Sequence, residues 1–419
     1  MSGNRANTAE KLEKLGKCYV LFRPHSAWKG EYGFDWIRFK QYKDSTVNGE
    51  KGNDFDTKNI LGIYSSTCNK TGCDYRTQCQ LSGKNVCIDI NSWSSTFSKD
   101  VNNNETQYKN LCGKFTVKQI KGWDDITYFD TPIMTILSSE KSVKIKLKVV
   151  IKDAPIDGLF WDYDKKIFKL DFPQSIDTKK EGVQDIEFNL TCNQSFATNQ
   201  TIAVYCDKEK TKLCGSLKIL ANYESFQRKI DAILVKVKLD IGNGSSTGNF
   251  NGGLSEVTNI LKQAYVTLND NSDAVKLLNI PNFNQNYILD DGELSVKLDG
   301  NLLTYLNGIV NGLDNKYTNY FKVYAIAEKC NAGKTLGFSV PGTDSCVVFS
   351  GHNNSTVPHE LLHSLKLPHT FVAKDTDSNA KYTYEALITD NLMDYSHWNN
   401  LQRISTFYWQ WQIMNDKIK

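Results

Sequence analysis

Between Pro132 and Asn222 apolar and polar residues alternate in short runs: Val143-Lys144-Ile145-Lys146-Leu147-Lys148-Val149-Val150-Ile151, Ile167 to Phe172, Asp185 to Leu190, Thr201 to Tyr205 and Ser216 to Leu220. A period of two places alternate side chains on one face, so each run predicts a half-buried β-strand. Five such strands at close spacing predict a β-sandwich of immunoglobulin-like type. Beyond Asn222 the period changes. Ala232 to Asp240 alternates apolar and charged residues as a strand does, whereas Gly253 to Leu268 carries apolar residues at helical spacing. Phe321 to Ala327 and Ser345-Cys346-Val347-Val348-Phe349-Ser350 read as further strands. The closing stretch from Trp398 to Lys419, with Phe407, Trp409, Trp411 and Met414, predicts an amphipathic helix packed on its domain, in preference to one lying on a membrane. Near the other end, Tyr19-Val20-Leu21-Phe22-Arg23-Pro24 predicts a strand, and Gly30-Glu31-Tyr32-Gly33-Phe34-Asp35-Trp36-Ile37-Arg38 a glycine-bounded aromatic strand-turn-strand.

At 419 residues the chain exceeds what one hydrophobic core usually serves. The patterning divides it into a β-rich, cysteine-containing N-terminal domain (1–131), the immunoglobulin-like β-sandwich (132–222) and a C-terminal α/β domain (223–419). The net charge of +3 is close to neutral, and its lysines are scattered among acids without arginine clusters, which argues against a nucleic-acid partner. No apolar run reaches the roughly eighteen residues of a transmembrane segment. Met1 to Lys17 is polar and charged and lacks the apolar core of a secretory signal, so a protein acting outside the producing cell would leave the cytoplasm by another route or carry a trimmed leader.

Eleven cysteines are many for a cytosolic protein. Cys68, Cys73, Cys79 and Cys87 lie close together, Cys192, Cys206 and Cys214 fall in the sandwich, and Cys330 and Cys346 flank a loop further on. Disulfides are the expected state, with one thiol left over from the odd total. A structural zinc site in the N-terminal group is the alternative, although its spacings do not match two-residue zinc knuckles.

The chemistry concentrates in one place. Five of the six histidines lie between His352 and His397, and among them runs His359-Glu360-Leu361-Leu362-His363, followed by Ser364-Leu365-Lys366-Leu367-Pro368-His369. On a helix His359 and His363 sit one turn apart on one face, so both imidazoles can reach a single Zn2+ ion while Glu360 stands beside it as a base. His369 is the candidate third ligand, with Asp375 or Asp377 as substitutes. Three neutral imidazoles leave a coordination position open for catalysis. Pro358 is tolerable in the first turn of such a helix, and Thr356 is its expected N-cap.

Downstream, Thr389-Asp390-Asn391-Leu392-Met393-Asp394-Tyr395 places a methionine and then a tyrosine after the third histidine. Together with the zinc helix, this stretch resembles the metzincin zinc peptidases over roughly the last half of the chain. The resemblance implies a metal set of His359, His363 and His369, Glu360 as general base, and Met393 as an apolar floor beneath the imidazoles. It implies that Tyr395 ligates the resting metal and stabilises the oxyanion, the alternative being a core tyrosine. It also makes Ser345 to Ser350 the edge strand that aligns an extended substrate. One departure is plain, because the metzincin pattern has glycine where this chain has Lys366, and that glycine turns the chain in a left-handed conformation.

The expected function is zinc-dependent endopeptidase action on protein or peptide substrates. The alternatives are a catalytically inactive binding or structural protein, motivated by Lys366, and a peptidase that cleaves only its own chain or a co-secreted partner. The Gly30 to Arg38 segment resembles N-terminal regions of proteins linked to contractile secretion machines in Bacteroidetes-type bacteria. That resemblance implies a delivered effector or toxin, with a secretion-apparatus component or an immunity protein as partner.

Overall fold

A computed structural model describes residues 16–37, 110–120 without 112 and 117, 127–140, 142–241, 244–269, 276–288 without 282 and 284, 301–370, and 380–418 without 383, 385, 386 and 388. The chain forms two compact units, Met1–Trp28 with Tyr32–Phe226 and Lys29–Glu31 with Gln227–Lys419. The architecture is mixed α/β with several sheets.

The described strands of the first unit are β1 (Lys17–Pro24), β2 (Phe34–Asp35), β3 (Lys118–Ile120), β4 (Thr127–Phe129), β5 (Ile133–Met134), β6 (Val143–Asp153), β7 (Phe160–Asp162), β8 (Phe168–Asp171), β9 (Gly182–Cys192), β10 (Gln200–Tyr205) and β11 (Leu213–Ile219). They form a four-stranded sheet in the order β1-β6-β9-β8, a five-stranded sheet in the order β2-β5-β11-β10-β7, and the β3-β4 pair. The alternation that predicts β6 is realised, with Val143, Ile145, Leu147, Val149 and Ile151 buried. Two expectations change. β1 pairs antiparallel with β6 from Cys18 opposite Ile151 to Pro24 opposite Ile145, so main-chain bonds bridge the expected break at 131/132. Val20, Leu21 and Phe22 are fully buried, which a lone strand could not achieve. No immunoglobulin-like sandwich and no closed barrel is identified among the described residues, and β5 runs parallel to β11, a pairing that antiparallel sandwich sheets lack.

The second unit contains β12 (Arg228–Ile230), β13 (Ala232–Ile241), β14 (Gly244–Thr247), β15 (Val266–Leu268), β16 (Lys276–Ile280), β17 (Phe321–Ala325), β18 (Gly337–Ser339) and β19 (Ser345–Val348). Its described helices are α1 (Gly253–Lys262), α2 (Asn301–Leu313), α3 (Thr356–Ser364) and α4 (Tyr408–Lys417). The main sheet has the order β14-β13-β17-β19-β18, with β16 also on β13. β13, β17 and β19 run parallel, and β18 turns back antiparallel to β19. Leu302, Leu303, Leu306 and Val310 of α2 pack with Val235, Val237, Tyr324 and Val347 of the sheet in one core.

Several local expectations shift here. The helix from Gly253 stops at Lys262, because Tyr265 takes a φ of 57° and the chain then enters β15. The closing helix is shorter than its pattern; Trp398 is exposed in a 3₁₀ turn, whereas Trp409, Trp411 and Met414 of α4 are buried. Among the described residues no disulfide forms, and Cys18, Cys192, Cys206, Cys214, Cys330 and Cys346 are all buried. Cys68, Cys73, Cys79 and Cys87 lie outside the described residues. No described helix is long and apolar enough to cross a membrane.

Candidate metal centre

All of α3 is buried, so this helix is enclosed in its unit and has no solvent face. Ser355, one residue before the expected Thr356, occupies the N-cap position. The Asn353 carboxamide oxygen accepts from the Ser355 N–H at 3.0 Å, the Ser355 hydroxyl at 2.8 Å and the Thr356 hydroxyl at 3.2 Å, and so fixes the start of the helix. Pro358 falls in the first turn, where its missing N–H has no intrahelical partner to lose.

The other end resolves the question that Lys366 poses. Lys366 itself adopts the left-handed conformation, with φ 68°, directly after the Leu365 C-cap. The Leu367 N–H donates to the Leu362 carbonyl at 3.0 Å and the Lys366 N–H to the His363 carbonyl at 2.9 Å, the paired bonds of a Schellman motif. A side chain in that conformation costs roughly 1–2 kcal/mol, which the turn tolerates. The chain therefore reverses as it would with glycine, and His369 comes back to the helix.

The ligand atoms of His359, His363 and His369 all lie within 4.8 Å of one another. The ring centroids are 4.8 Å apart for His359 and His363, 4.6 Å for His363 and His369, and 5.4 Å for His359 and His369. His359 Nδ1 is 2.8 Å from the Leu392 carbonyl and His363 Nδ1 is 2.7 Å from the Leu367 carbonyl. A carbonyl oxygen only accepts, so each Nδ1 carries a proton and Nε2 is the nitrogen left to each ring for a metal. Burial, reinforced by the other two histidines and Arg403, holds the pKa of His359 well below the usual imidazole range, and the ring stays neutral. His363 Nε2 and His369 Nε2 stand 3.2 Å apart. Nitrogens bound to one tetrahedral zinc at about 2.0–2.1 Å are separated by roughly 3.3 Å, so the donor set fits that ion.

Glu360 is buried beside this cluster, and burial pushes its carboxyl up to about 8. The Ser339 hydroxyl, which makes no hydrogen bond of good geometry, and the Arg403 guanidinium partly offset that rise. A Cβ at Gly337 would stand 2.6 Å from Glu360 Cγ and 2.7 Å from its Oε1, so only glycine lets the carboxylate lie against β18. A lone glycine in a strand is a readable mark of close approach, but β18 is too short to announce itself. The strand order also corrects the expected edge. Ser345 to Ser350 is not the edge, because β19 has β17 on one side and β18 on the other, and β18 is the terminal strand among the described residues.

The stretch around Met393 is fixed by a buried carboxylate. Asp394 accepts from the N–H groups of Leu387 at 2.7 Å, Thr389 at 2.8 Å and Tyr395 at 2.7 Å, and from the Thr389 hydroxyl at 2.7 Å. The Asn391 side chain accepts from the Met393 N–H at 2.8 Å, and Met393 is fully buried. The carbonyl before Met393, that of Leu392, is the one that orients His359. Tyr395 lies with its ring 5.7 Å from His359 and 5.0 Å from His369.

Arg403 has no sequence signal. It is buried, donates to the Ser355 hydroxyl through Nε at 3.0 Å and to the Asp394 carbonyl at 3.0 Å, and thus ties the start of α3 to the methionine turn. Asp375 and Asp377, the substitute ligands, lie outside the described residues. His352 is buried with Nδ1 on the Phe349 carbonyl and is not part of the cluster. The buried His-Glu-x-x-His with a following histidine has the spacing of a zincin motif. No family model matches the chain, and no curated protein matches it in sequence.

Proposed function

We propose that this protein is a zinc-dependent endopeptidase of metzincin type that cleaves protein or peptide substrates. The observation that carries the reading is the convergence of three imidazoles from His359, His363 and His369, with the outer nitrogens of His359 and His363 committed to carbonyls, beside a buried Glu360. Zinc held by those imidazoles would supply Lewis acidity at the scissile carbonyl and lower the pKa of water. Glu360 takes the proton of the attacking water and passes it to the leaving amine nitrogen. Tyr395, beside His359 and His369, donates from its hydroxyl to the developing oxyanion. Met393, buried within the turn that orients His359, serves as the apolar floor of the site.

An extended substrate would align on β18, the terminal strand of the sheet, through main-chain hydrogen bonds. That mode selects flexible segments over folded ones, because a folded segment has already committed its main-chain groups. Delivery outside the producing cell, with the upstream unit in a targeting role, is the accompanying proposal; its support is the Gly30 to Arg38 resemblance alone.

Metal analysis and casein cleavage by the full chain test the reading. Glu360→Gln should keep about one zinc per chain while turnover falls by about 10²–10⁴-fold, the range for loss of a general base. Unchanged cleavage by that variant, or a native protein that holds no zinc, would overturn it.

A further inference from the structure

The first unit holds a second group of metal-ligating side chains. Cys18 lies on β1, Cys206 directly follows β10 and Cys214 lies on β11, and all three are buried, at 5%, 1% and 1% exposure. Their sulfurs lie within 4.8 Å of one another, with Cys18 and Cys214 at 3.2 Å. One buried cysteine is an ordinary small hydrophobe. Three sulfurs from separate strand segments aimed at one point are not explained by packing.

The backbone is adapted to this meeting. Val204 pairs with Gly215 and Tyr205 with Leu213, so Cys214 is the extra residue of a bulge and is left opposite no partner. Opposite Cys18 the partner strand β6 carries an extra residue, Lys152, between Ile151 and Asp153, which pair with Cys18 and Lys17. Bulges re-aim side chains out of the regular alternation. The next residue, Gly215, brings β11 directly onto β1: a Cβ there would stand 2.1 Å from the Val20 carbonyl oxygen. The chain between Cys206 and Cys214 is closed by the Cys206 N–H donating to the Lys212 carbonyl at 3.1 Å.

We propose that Cys18, Cys206 and Cys214 form a thiolate metal site for a thiophilic cation of the copper(I) class. Sulfurs bound to one ion at about 2.3 Å lie roughly 4 Å apart, within the spread of these three. Among the described residues no further histidine, cysteine or carboxylate joins the group. The nearest acid in sequence, Asp207, is taken up by the Thr211 N–H and hydroxyl and the Lys212 N–H. Three thiolates without a fourth protein ligand suit copper(I), whereas zinc in structural sites takes four. A disulfide between Cys18 and Cys214 would leave the third sulfur without a role.

The full chain, reduced and handled without oxygen, would be titrated with copper(I) and separately with Zn2+ against competing chelators. Cys18→Ser, Cys206→Ser and Cys214→Ser should each lose one copper(I) per chain relative to the parent. Cys192→Ser, a buried free thiol outside the group, should lose none. Gly215→Ala, which keeps every sulfur but forces β11 off β1, should weaken copper(I) binding by at least about 10-fold, because ligand distances tolerate only about 0.2 Å. X-ray absorption of the unmutated chain loaded with one copper(I) should report a sulfur-only shell, a reading that needs no variant to fold. Equal stoichiometry in all three variants, a nitrogen or oxygen shell, or a Cys18–Cys214 disulfide in peptide maps of the unreduced chain would overturn the site. Zinc retained in preference to copper(I) by the same three residues would overturn the copper assignment.

Discussion

The histidine cluster, with His369 half-buried, and the fully buried cysteine cluster both bring ligand atoms to one point, but they are assembled at different ranges along the chain. His359 and His363 share one helix, and a single turn returns His369 to them, with His363 and His369 six positions apart. Cys18 and Cys214 are separated by 196 positions and meet only because β1 and β11 approach within one unit. In the first case local backbone geometry sets the ligand spacing, and the surrounding packing has only to orient rings. In the second, the bulge at Cys214 and the close approach of β11 to β1 at Gly215 must both hold before the sulfurs meet. A locally built site should therefore survive distant perturbation and fail at single ligands, whereas a site built across strands should fail wherever the strands separate.

The largest expected effect breaks the local site at a ligand. His363→Ala removes one of the three converging imidazoles, and casein cleavage should fall by about 10³-fold or more, with zinc occupancy falling in parallel by metal analysis. Retained activity and zinc would show that the cluster is not the metal centre.

Gly337→Val sharpens the comparison at a contact that the histidine site makes beyond its own helix, with the strand β18. The new side chain would displace Glu360, and kcat should fall by about 10²-fold, the effect of misplacing a reacting group by about 1 Å. Zinc should remain bound, because no ligand moves; simultaneous loss of zinc would mean that β18 supports the whole cluster.

Arg403→Met tests the tie between the start of α3 and the methionine turn. It removes donors to Ser355 and to the Asp394 carbonyl, so zinc affinity measured against a chelator should drop by about 10–100-fold, as for other partners that orient ligands. An unchanged affinity would leave Arg403 as a structural residue only.

The smallest effect is at the local turn. Lys366→Gly relieves a left-handed side chain and adds glycine flexibility to the unfolded chain, for a net gain of about 0.5–1 kcal/mol in denaturant unfolding of the metal-free protein. Peptidase activity should be unaltered. A loss of stability would show that contacts of the lysine side chain outweigh the strain.

Much of this protein is legible in the sequence alone, and the legible part is local. The period-two runs became β6, β8, β9, β10 and β11 because alternation both selects a strand and assigns its buried face. The helix of His359 and His363 and the approach of His369 to it are readable because helix periodicity converts sequence spacing into distance, and even the Lys366 departure marks the left-handed turn that the structure contains. Short or interrupted patterns are harder to read: α2 stands outside the predicted elements although Leu302, Leu303, Leu306 and Val310 repeat at helical spacing. Tertiary structure alone decided that β18 and not β19 ends the sheet, since strand order depends on pairing between segments far apart and not on either segment's composition. It alone joined β1 to β6, put Gly337 against Glu360, ran Arg403 between two loops and brought Cys18 to Cys214. Each of these is a contact across long chain separation, where the entropy of loop closure is opposed by packing summed over a whole unit, a quantity that no short stretch of sequence contains.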